Sequence, residues 1–355
     1  MKKILLTGGG TAGHVTPNIA LLPSLKNLGY EIKYMGSYDG IERKLIEELG
    51  IDYIGISSGK LRRYMSAKNF TDPFRVLKGF SEAKKFIKSY KPDVVFSKGG
   101  FVSVPVVLAA DKYHIPVIIH ESDMTPGLAN KIAIPHAYKI CHNFPETAEY
   151  LPKGKSVLTG SPIRAELLSG NKSAGMSMCN FTSDKPVIMV IGGSLGAAAV
   201  NQIVRESLDE LLKNYQVVHL CGKGKLDDSL KSKKGYVQFE YIKDELKDLF
   251  AMSQVIISRA GANAICEILA LKKPNILIPL PAHASRGDQI LNAESFRKQG
   301  FSEVLDEETL SPDILIDTVN KVYKNRADYI HNMNESSSKD SIKTIIDLIN
   351  SAANL

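Results

Sequence analysis

The chain has 355 residues, of which 44% are hydrophobic, and a formal net charge of +7. This length exceeds a single typical domain and predicts two domains of roughly 150–180 residues each. The charge suggests an anionic partner such as a nucleotide, a nucleic acid or lipid head groups. The alternative is that a charge of +7, spread over so large a surface, has no functional meaning. The four scattered cysteines form no C-x-x-C pair, which excludes a disulfide framework or a zinc ribbon. No signal peptide or membrane span is recognisable, so we expect a cytoplasmic protein whose membrane contact, if any, is peripheral.

The first motif is a glycine-rich turn between a short strand and a helix. An apolar strand pattern at Ile4–Thr7 is followed by glycines at positions 8, 10 and 13, and a helical pattern begins near Pro17. This is the G-x-G-x-x-G arrangement in its required setting. The N-terminus of the following helix offers unpaired N–H groups to an anion. A dinucleotide site is the commonest meaning of this motif, but His14 directly after the last glycine favours another function.

Short apolar runs alternate with helical segments through the first half of the chain. Strands are predicted at 31–36, 53–56, 93–96 and 116–120, with helices around 19–28 and 42–49. This alternation indicates βαβ units and a doubly wound parallel sheet. Ligands of such sheets bind beyond the carboxyl ends of the strands. The loops to inspect are therefore Gly8–His14, Lys98–Ser103 and Glu121–Asn130.

Basic and aromatic residues are interleaved between residues 59 and 88. Phe70, Phe74 and Leu77 fall on one face of a predicted helix, at spacings of four and three. Such a segment can lie on an anionic membrane with its apolar face between the head groups. Alternatively, its aromatic residues face the domain core while the lysines are simply solvated.

The pattern restarts after a polar stretch at 169–185, which is predicted to be a linker. A strand at 187–191 runs into Gly192–Ala197, a helix is predicted at 198–212, and further strands at 216–220, 236–239, 254–258 and 275–279. The chain thus has two similar nucleotide-binding halves, and an amphipathic helix at its end. The absence of Asp-x-Asp at a strand end argues against a metal-held diphosphate.

Two further segments of the second half carry polar groups suited to a nucleotide sugar. Glu267 lies one turn inside the helix that follows Ser258–Gly261, where its carboxylate can accept from ribose hydroxyls or simply complement the helix dipole. Asp288 and Gln289 follow the next strand and suit sugar hydroxyls better than phosphate.

Six loops, in the same order, resemble the signature loops of the MurG family, bacterial transferases that add N-acetylglucosamine (GlcNAc) to an undecaprenyl-diphosphate-linked muramyl-pentapeptide. They are the segments 8–14, 99–103, 120–121, 160–164, 192–197 and 258–262, and the match runs from residue 3 to about 295. The resemblance implies an α/β chain of two Rossmann-like domains facing across a cleft, the GT-B glycosyltransferase fold. The acceptor- and membrane-binding domain would span 1–163 and the UDP-GlcNAc-binding domain 164–334, with a C-terminal helix at 335–355 packing back on the first.

The resemblance also implies residue roles. His14 would be the general base for the acceptor hydroxyl; the alternative for this residue is a structural, capping histidine. The donor would be contacted by Thr11, Ala12, Gly13, Arg164, Ser194, Ile242, Ala264, Glu267 and Gln289. The acceptor and its diphosphate would be held by loops that contain Gly10, Gly99, Gly100, Ser103, Glu121, Asp123 and Asn130. The membrane contact would use Phe70, Phe74, Arg75, Leu77, Lys78 and Phe80.

The activity so implied is an inverting transfer of GlcNAc from UDP-GlcNAc to the C4 hydroxyl of the muramyl sugar, converting lipid I to lipid II in peptidoglycan synthesis. It needs no metal and no cofactor. The partners would be the two substrates and the anionic cytoplasmic face of the membrane, where the enzyme would be peripheral. Other cell-wall synthesis or division proteins are further candidate partners, and nucleic acid is not expected. The chain departs from the family's common pattern at Asp123, usually asparagine, at Val104, often glycine, and in the loop 282–289.

Other functions remain open at this stage. The nearest are another GT-B glycolipid glycosyltransferase and a UDP-GlcNAc epimerase. An NAD-type oxidoreductase is more remote, because the strand at 31–36 ends in Gly36-Ser37 and lacks the acidic residue that grips a ribose. A non-catalytic nucleotide-binding module is disfavoured by His14 and by the second glycine loop.

Overall fold

A computed structural model describes residues 1–59, 72–193, 196–284, 287–336 and 340–355, with the backbone alone at 72 and 73. The chain divides into two compact units. The first comprises Met1–Arg164 with Ser338–Leu355, and the second Ala165–Ser337.

The described part of the first unit contains a parallel sheet of seven strands. They are β1 (Lys3–Thr7), β2 (Glu31–Ser37), β3 (Asp52–Ile56), β4 (Val94–Ser97), β5 (Val117–Glu121), β6 (Lys139–His142) and β7 (Ser156–Leu158). Their order across the sheet is β3-β2-β1-β4-β5-β6-β7. The order reverses between β1 and β4, so the loops after these two strands lie at the switch point where doubly wound folds bind ligands. The prediction of a doubly wound sheet is confirmed here, although β6 and β7 were not predicted.

Helices cover both faces of this sheet. They are α1 (Thr16–Asn27), α2 (Ile41–Glu47), α3 (Asp72–Tyr90), α4 (Ser103–Lys112) and α5 (Leu128–Ala133), with short 3-10 turns at Ala12–His14, Ile134–His136 and Pro145–Tyr150. β1 shows why two layers form: Ile4 and Leu6 belong to one buried cluster and Leu5 to the other, because successive side chains of a strand point to opposite faces. The sheet is therefore buried on both sides.

The last helix of the chain packs on the first unit. Ile345, Ile346 and Ile349 belong to the same buried cluster as Leu21 and Phe96, and Tyr30 donates to Asn350 at 2.8 Å. This helix, labelled α14 after the helices of the second unit, spans Ser341–Ala352, so it begins six residues later than the predicted start at 335.

The second unit repeats the plan of the first. Its strands are β8 (Val187–Ile191), β9 (Gln216–Leu220), β10 (Tyr236–Phe239), β11 (Ser253–Ser258), β12 (Asn275–Leu277) and β13 (Ser302–Val304). Its helices are α6 (Lys172–Met178), α7 (Ala198–Glu206), α8 (Leu208–Asn214), α9 (Leu246–Met252), α10 (Ala262–Ala270), α11 (Asp288–Lys298), α12 (Pro312–Lys324) and α13 (Arg326–Asn334). The parallel strand order is β10-β9-β8-β11-β12-β13, so each unit is Rossmann-like, as predicted.

Two expectations about the second unit were wrong. The polar stretch 169–185 is not simply a linker, because it contains α6. That helix lies close to α9: a Cβ on Gly175 would be 2.5 Å from the carbonyl oxygen of Asp248, so glycine permits the approach. The helix predicted at 198–212 is two helices, which meet at Ser207, whose hydroxyl donates to the carbonyl of Ile203 at 2.8 Å.

Candidate functional site

The first unit brings two glycine turns into contact at its switch point. They follow β1 and β4, and a Cβ on Gly100 would lie 2.3 Å from the carbonyl oxygen of Gly9. Only glycine permits this approach. The turn after β1 is also anchored to the interior of the unit, because the buried Tyr34 hydroxyl donates to the Gly8 carbonyl at 2.7 Å.

Thr11 and His14 form a hydrogen-bonded pair on the first turn. The hydroxyl of Thr11 lies 3.1 Å from Nδ1 of His14, and the His14 amide donates to the Thr11 carbonyl at 3.1 Å. Thr11 is exposed and His14 half-buried. The Thr11 side chain does not cap the 3-10 turn Ala12–His14. Its hydroxyl instead contacts the imidazole of His14, at the ligand-binding end of the sheet.

The backbone of the same turn is directed inward at Gly10. Its N–H donates to Oε2 of Glu42 at 3.1 Å, and Glu42 is fully buried. Gly10 was predicted to lie in a diphosphate-binding loop. Its amide is already engaged by a carboxylate, so it is not one of the N–H groups available to a phosphate. Sequence reasoning missed Glu42, which has no distinctive signal beyond its place in the first turn of α2.

The turn after β4 rests on a buried lysine that sequence reasoning also passed over. Lys98 is 1% exposed, and its ammonium donates to the hydroxyl of Ser122. Burial, together with the charge of Lys98, holds the pKa of His120 well below its usual range, so that imidazole is neutral. His120 Nε2 lies 2.9 Å from the Gly160 carbonyl, which fixes it as the donor.

The polar residues predicted after β5 mostly support their own loop. The buried carboxylate of Glu121 accepts from the amides of Asp123 and Gly127, each at 3.0 Å, and from the Asn130 side chain at 2.8 Å. Burial raises the pKa of Glu121, and these hydrogen bonds oppose the rise. Glu121 and Asn130 therefore shape the loop from within, while Asp123 is only partly buried.

Gly99 and Ser103 likewise serve the packing of these loops. A Cβ on Gly99 would lie 3.2 Å from the Asn130 side chain, and Ser103 is buried with its hydroxyl donating to the Gly100 carbonyl at 2.7 Å. The predicted acceptor residues thus gather at one end of the sheet, but several are already hydrogen-bonded within the fold.

In the second unit, the glycine turn after β8 packs against the end of β9. A Cβ on Gly196 would lie 1.8 Å from the Cys221 carbonyl oxygen, and the Lys225 ammonium donates to the Gly196 carbonyl at 3.2 Å. Asn201 donates to the same Cys221 carbonyl at 2.9 Å, and its side-chain oxygen lies 3.0 Å from Nε2 of His219. Ser194, predicted to contact the donor, lies outside the described residues.

The turn after β11 leads into a helix N-terminus with free space beside it. A Cβ at Gly261 would meet nothing within 4 Å, and no side chain caps α10 there. The first N–H groups of a helix have no intrahelical partner, so this end is suited to an anion. Ala264 and Glu267 are partly buried within the first two turns. Arg259 braces the turn by donating to the Ile278 carbonyl at 3.0 Å and pairing with Glu307.

The remaining donor residues follow other strands of the second unit or close the first. Ile242 is buried after β10, and Gln289 follows β12, where its carboxamide oxygen accepts from the Leu280 amide at 3.1 Å. Arg164 is the last residue of the first unit, and its Nε is buried with no hydrogen-bond partner in the described structure. The second-unit residues thus lie beyond the carboxyl ends of their strands, where ligands of this fold bind.

The structure separates the residues predicted for membrane contact. Phe74 and Leu77 are 74% and 65% exposed on α3, and Arg75 and Lys78 beside them are also exposed. Phe80 is partly buried and packs against the core of the first unit. Phe70 lies outside the described residues.

The described residues contain neither a cluster suited to a metal ion nor a helix suited to span a membrane. Within those ranges, no three His, Cys, Asp or Glu side chains are grouped so that they could hold a metal ion. Among the helices of the described segments, none is both long enough and apolar enough to cross a bilayer.

Two Rossmann-like units, each with glycine turns at its switch point, form the architecture that two-domain glycosyltransferases have. Family comparison agrees with this class: residues 4–141 match the glycosyltransferase family 28 N-terminal domain, and residues 187–349 match the glycosyltransferase family 28 C-terminal domain.

Comparison with individual relatives identifies the family within this class of glycosyltransferases. The chain is 69% identical over 349 residues, 98% of its length and 99% of the relative's, to the UDP-N-acetylglucosamine–N-acetylmuramyl-(pentapeptide) pyrophosphoryl-undecaprenol N-acetylglucosamine transferase of Lachnospira eligens. The crystal structure of Acinetobacter baumannii MurG superposes with a TM-score of 0.80 at 25% identity, covering 99% of this chain and all of the other. The chain therefore belongs to the MurG family.

One rival shares only the fold. UDP-GlcNAc 2-epimerase from Neisseria meningitidis, solved with UDP-GlcNAc, superposes with a TM-score of 0.68, covering 98% of this chain and all of the other, at 14% identity. Likeness at this identity shows a common architecture and carries no activity across.

Proposed function

We propose that this protein transfers N-acetylglucosamine from UDP-GlcNAc to the muramyl sugar of undecaprenyl-diphosphate-linked muramyl-pentapeptide. The observation that carries the proposal is the 69% identity, over almost the entire chain, to a transferase of that name. The two units support it, since each has its own glycine turn at a switch point, whereas a dehydrogenase needs a phosphate loop in only one.

The second unit is the proposed donor site. The open N-terminus of α10 would receive the diphosphate of UDP, aided by Arg164 and Ser194. Glu267 would accept from the ribose hydroxyls, and Ile242 and Ala264 would contact the uracil. The sugar hydroxyls would be contacted by Gln289 and, from the first unit, by Thr11, Ala12 and Gly13.

The proposed chemistry is a single displacement. The acceptor's C4 oxygen forms a bond to the anomeric carbon, the bond from that carbon to the UDP oxygen breaks, and the proton of the C4 hydroxyl passes to His14. Configuration is inverted. The charge that develops on UDP would be neutralised by Arg164 and the amides at the start of α10, so that neither a metal nor a cofactor is required.

The first unit is the proposed acceptor and membrane site. The exposed pair Phe74 and Leu77, flanked by Arg75 and Lys78, can insert apolar side chains between anionic head groups while the cations remain at the surface. The protein would then act at the cytoplasmic face of the membrane, where its lipid-linked acceptor lies. Replacing Phe74 and Leu77 with serine should reduce sedimentation with anionic vesicles at least tenfold, whereas Tyr150→Ser, at a 54% exposed tyrosine elsewhere on the unit, should leave it unchanged. Equal vesicle binding by all three proteins would contradict the membrane assignment.

The deciding experiment measures UDP release from UDP-GlcNAc with and without a soluble analogue of the lipid-linked acceptor. Release that requires the analogue, with a product containing both sugars, is the expected result. Release without it would indicate an epimerase or a hydrolase, and binding of UDP-GlcNAc without release would indicate another acceptor. Failure to bind UDP-GlcNAc would exclude the proposed function altogether.

A further inference from the structure

Glu42 is an acidic side chain that is buried in the first unit. It is 0% exposed, and within the described chain it forms no salt bridge. A glutamate in the first turn of a helix ordinarily complements the dipole from the surface. The carboxylate of Glu42 instead accepts its hydrogen bonds from residues outside α2.

These hydrogen bonds join two loops at the ligand-binding end of the first sheet. Oε2 accepts the Gly10 amide at 3.1 Å, and Oε1 accepts the Ser37 amide at 3.0 Å together with the Ser37 hydroxyl. One side chain thus connects the turn after β1 to the end of β2. Because both oxygens receive backbone N–H groups, the position requires an acceptor at each oxygen.

Glycines make the room for this carboxylate. A Cβ added to Gly9 would lie 2.5 Å from the Glu42 carboxylate, and one added to Gly40 would lie 2.1 Å from it. A Cβ added to Gly36 would lie 2.8 Å from Cγ of Glu42. The three glycines come from the turn after β1, from β2 and from the residue before α2. The slot is therefore built by three separate segments around one buried anion.

Burying a carboxylate is unfavourable unless charge-assisted hydrogen bonds compensate it. The compensation here depends on the backbone geometry of Gly10, whose φ of +86° places it in the region that favours glycine. Thr11 follows directly and hydrogen-bonds His14. Glu42 is thus connected, through the Gly10 amide, to the segment that carries the Thr11–His14 pair.

We propose that Glu42 is a positioning residue of the transfer reaction: by holding the Gly10 amide it fixes the turn that aims Thr11 and His14. This inference rests on the proposed function. It assigns no substrate contact to Glu42.

The discriminating variant is Glu42→Gln. Its carboxamide oxygen can keep the two Ser37 donors, but its NH2 group then faces the Gly10 amide, donor against donor. We expect kcat to fall at least tenfold while KM for UDP-GlcNAc stays within twofold, because the proposed donor contacts lie mainly in the second unit. Glu47→Gln, an exposed change on the same helix, is the matched control and should behave as wild type.

Gly40→Ala gives an independent approach, since the atoms nearest to its Cβ all belong to the Glu42 carboxylate and it alters no atom of the glycine turn after β1. It should reproduce the loss of kcat, and the double variant should be no worse than about twofold below the poorer single variant. Values of kcat within twofold of wild type in both single variants would overturn the proposal. If both fail to fold, Ser37→Ala, which removes one donor to Oε1, should still lower kcat with KM unchanged; wild-type kcat in that variant would equally overturn it.

Amide hydrogen exchange separates this proposal from the proposed function. The Gly10 amide should exchange at least tenfold faster in Glu42→Gln than in wild type, whether or not the protein transfers GlcNAc. An inactive wild type would refute the proposed function, and exchange at Gly10 would still test the anchoring. Unchanged exchange would refute the anchoring even in an active enzyme.

Discussion

The turns after β1 and β8 occupy the same position in two sheets of the same order, yet different groups lie behind them. Behind Gly10 is the buried carboxylate of Glu42, which draws an amide inward. Behind Gly196 are a carbonyl oxygen of Cys221 and the ammonium of Lys225. The strand–glycine–helix pattern therefore does not determine what a turn binds. The groups that contact a turn from within the fold matter as much, and we infer that the first turn mainly positions side chains while the second serves donor binding.

The largest effect expected from this difference is on catalysis by the first turn. His14→Ala should lower kcat by about 10²- to 10⁴-fold, the usual range for a general base, and leave UDP-GlcNAc affinity nearly unchanged. Steady-state kinetics and calorimetric titration would measure the two quantities, with His136→Ala on the same unit as the control. Normal turnover in the variant would remove His14 from the mechanism.

In the second turn, the expected effect is on folding and donor binding. Gly196→Ala places a Cβ against the Cys221 carbonyl at φ +67°, whereas Gly193 has φ +78° and open space around it. Left-handed strain alone costs about 1–2 kcal/mol, and overpacking adds about 1–3 kcal/mol. Gly196→Ala should therefore melt at a clearly lower temperature than Gly193→Ala and bind UDP-GlcNAc more weakly. Equal melting temperatures would show that this contact does not constrain the turn.

The support of the second turn should respond to acid through His219, which hydrogen-bonds Asn201. Burial, and secondarily the charge of Arg205, lowers the pKa of His219 to about 3. An unfolded histidine binds its proton near pH 6.5, so the stabilisation from the neutral imidazole is complete above that pH and is lost as pH falls from 6.5 toward 3. The loss is about 1.4 kcal/mol per pH unit. His219→Gln should flatten the melting temperature between pH 6.5 and 4.5 relative to wild type, with measurements at pH 8 giving the baseline of each protein. Parallel curves would contradict this assignment.

The smallest expected effect concerns the cation beside the second turn. Lys225→Met removes the hydrogen bond to the Gly196 carbonyl, and such a bond contributes about 0.5–1.5 kcal/mol. KM for UDP-GlcNAc should rise by about two- to tenfold with kcat little changed, and Lys223→Met, at an exposed neighbour, should have no effect. A fall in kcat without a change in KM would show that the second turn, too, mainly positions catalytic groups.

Much of the fold could be predicted because its signals are local. Buried parallel strands are short apolar runs, and glycine turns follow β1, β4 and β8 directly in the sequence. The same locality identified His14 and Glu267 as candidates beside glycine turns. Predictions failed where local composition and tertiary packing disagree. Residues 169–185 are polar enough for a linker, yet they contain α6, which packs against α9.

The sequence by itself therefore determined the two Rossmann-like units, their turns and the family, since these depend on residue order along short segments. The tertiary structure alone decided which polar groups remain available to a ligand. Glu42, Lys98 and Asn201 form hydrogen bonds with residues 32, 24 and 20 positions away in the sequence. Local sequence patterns do not predict contacts at such separations. A buried charge is tolerated only where donors compensate it, and the donors of Glu42 come from separate segments that meet only after the chain has folded.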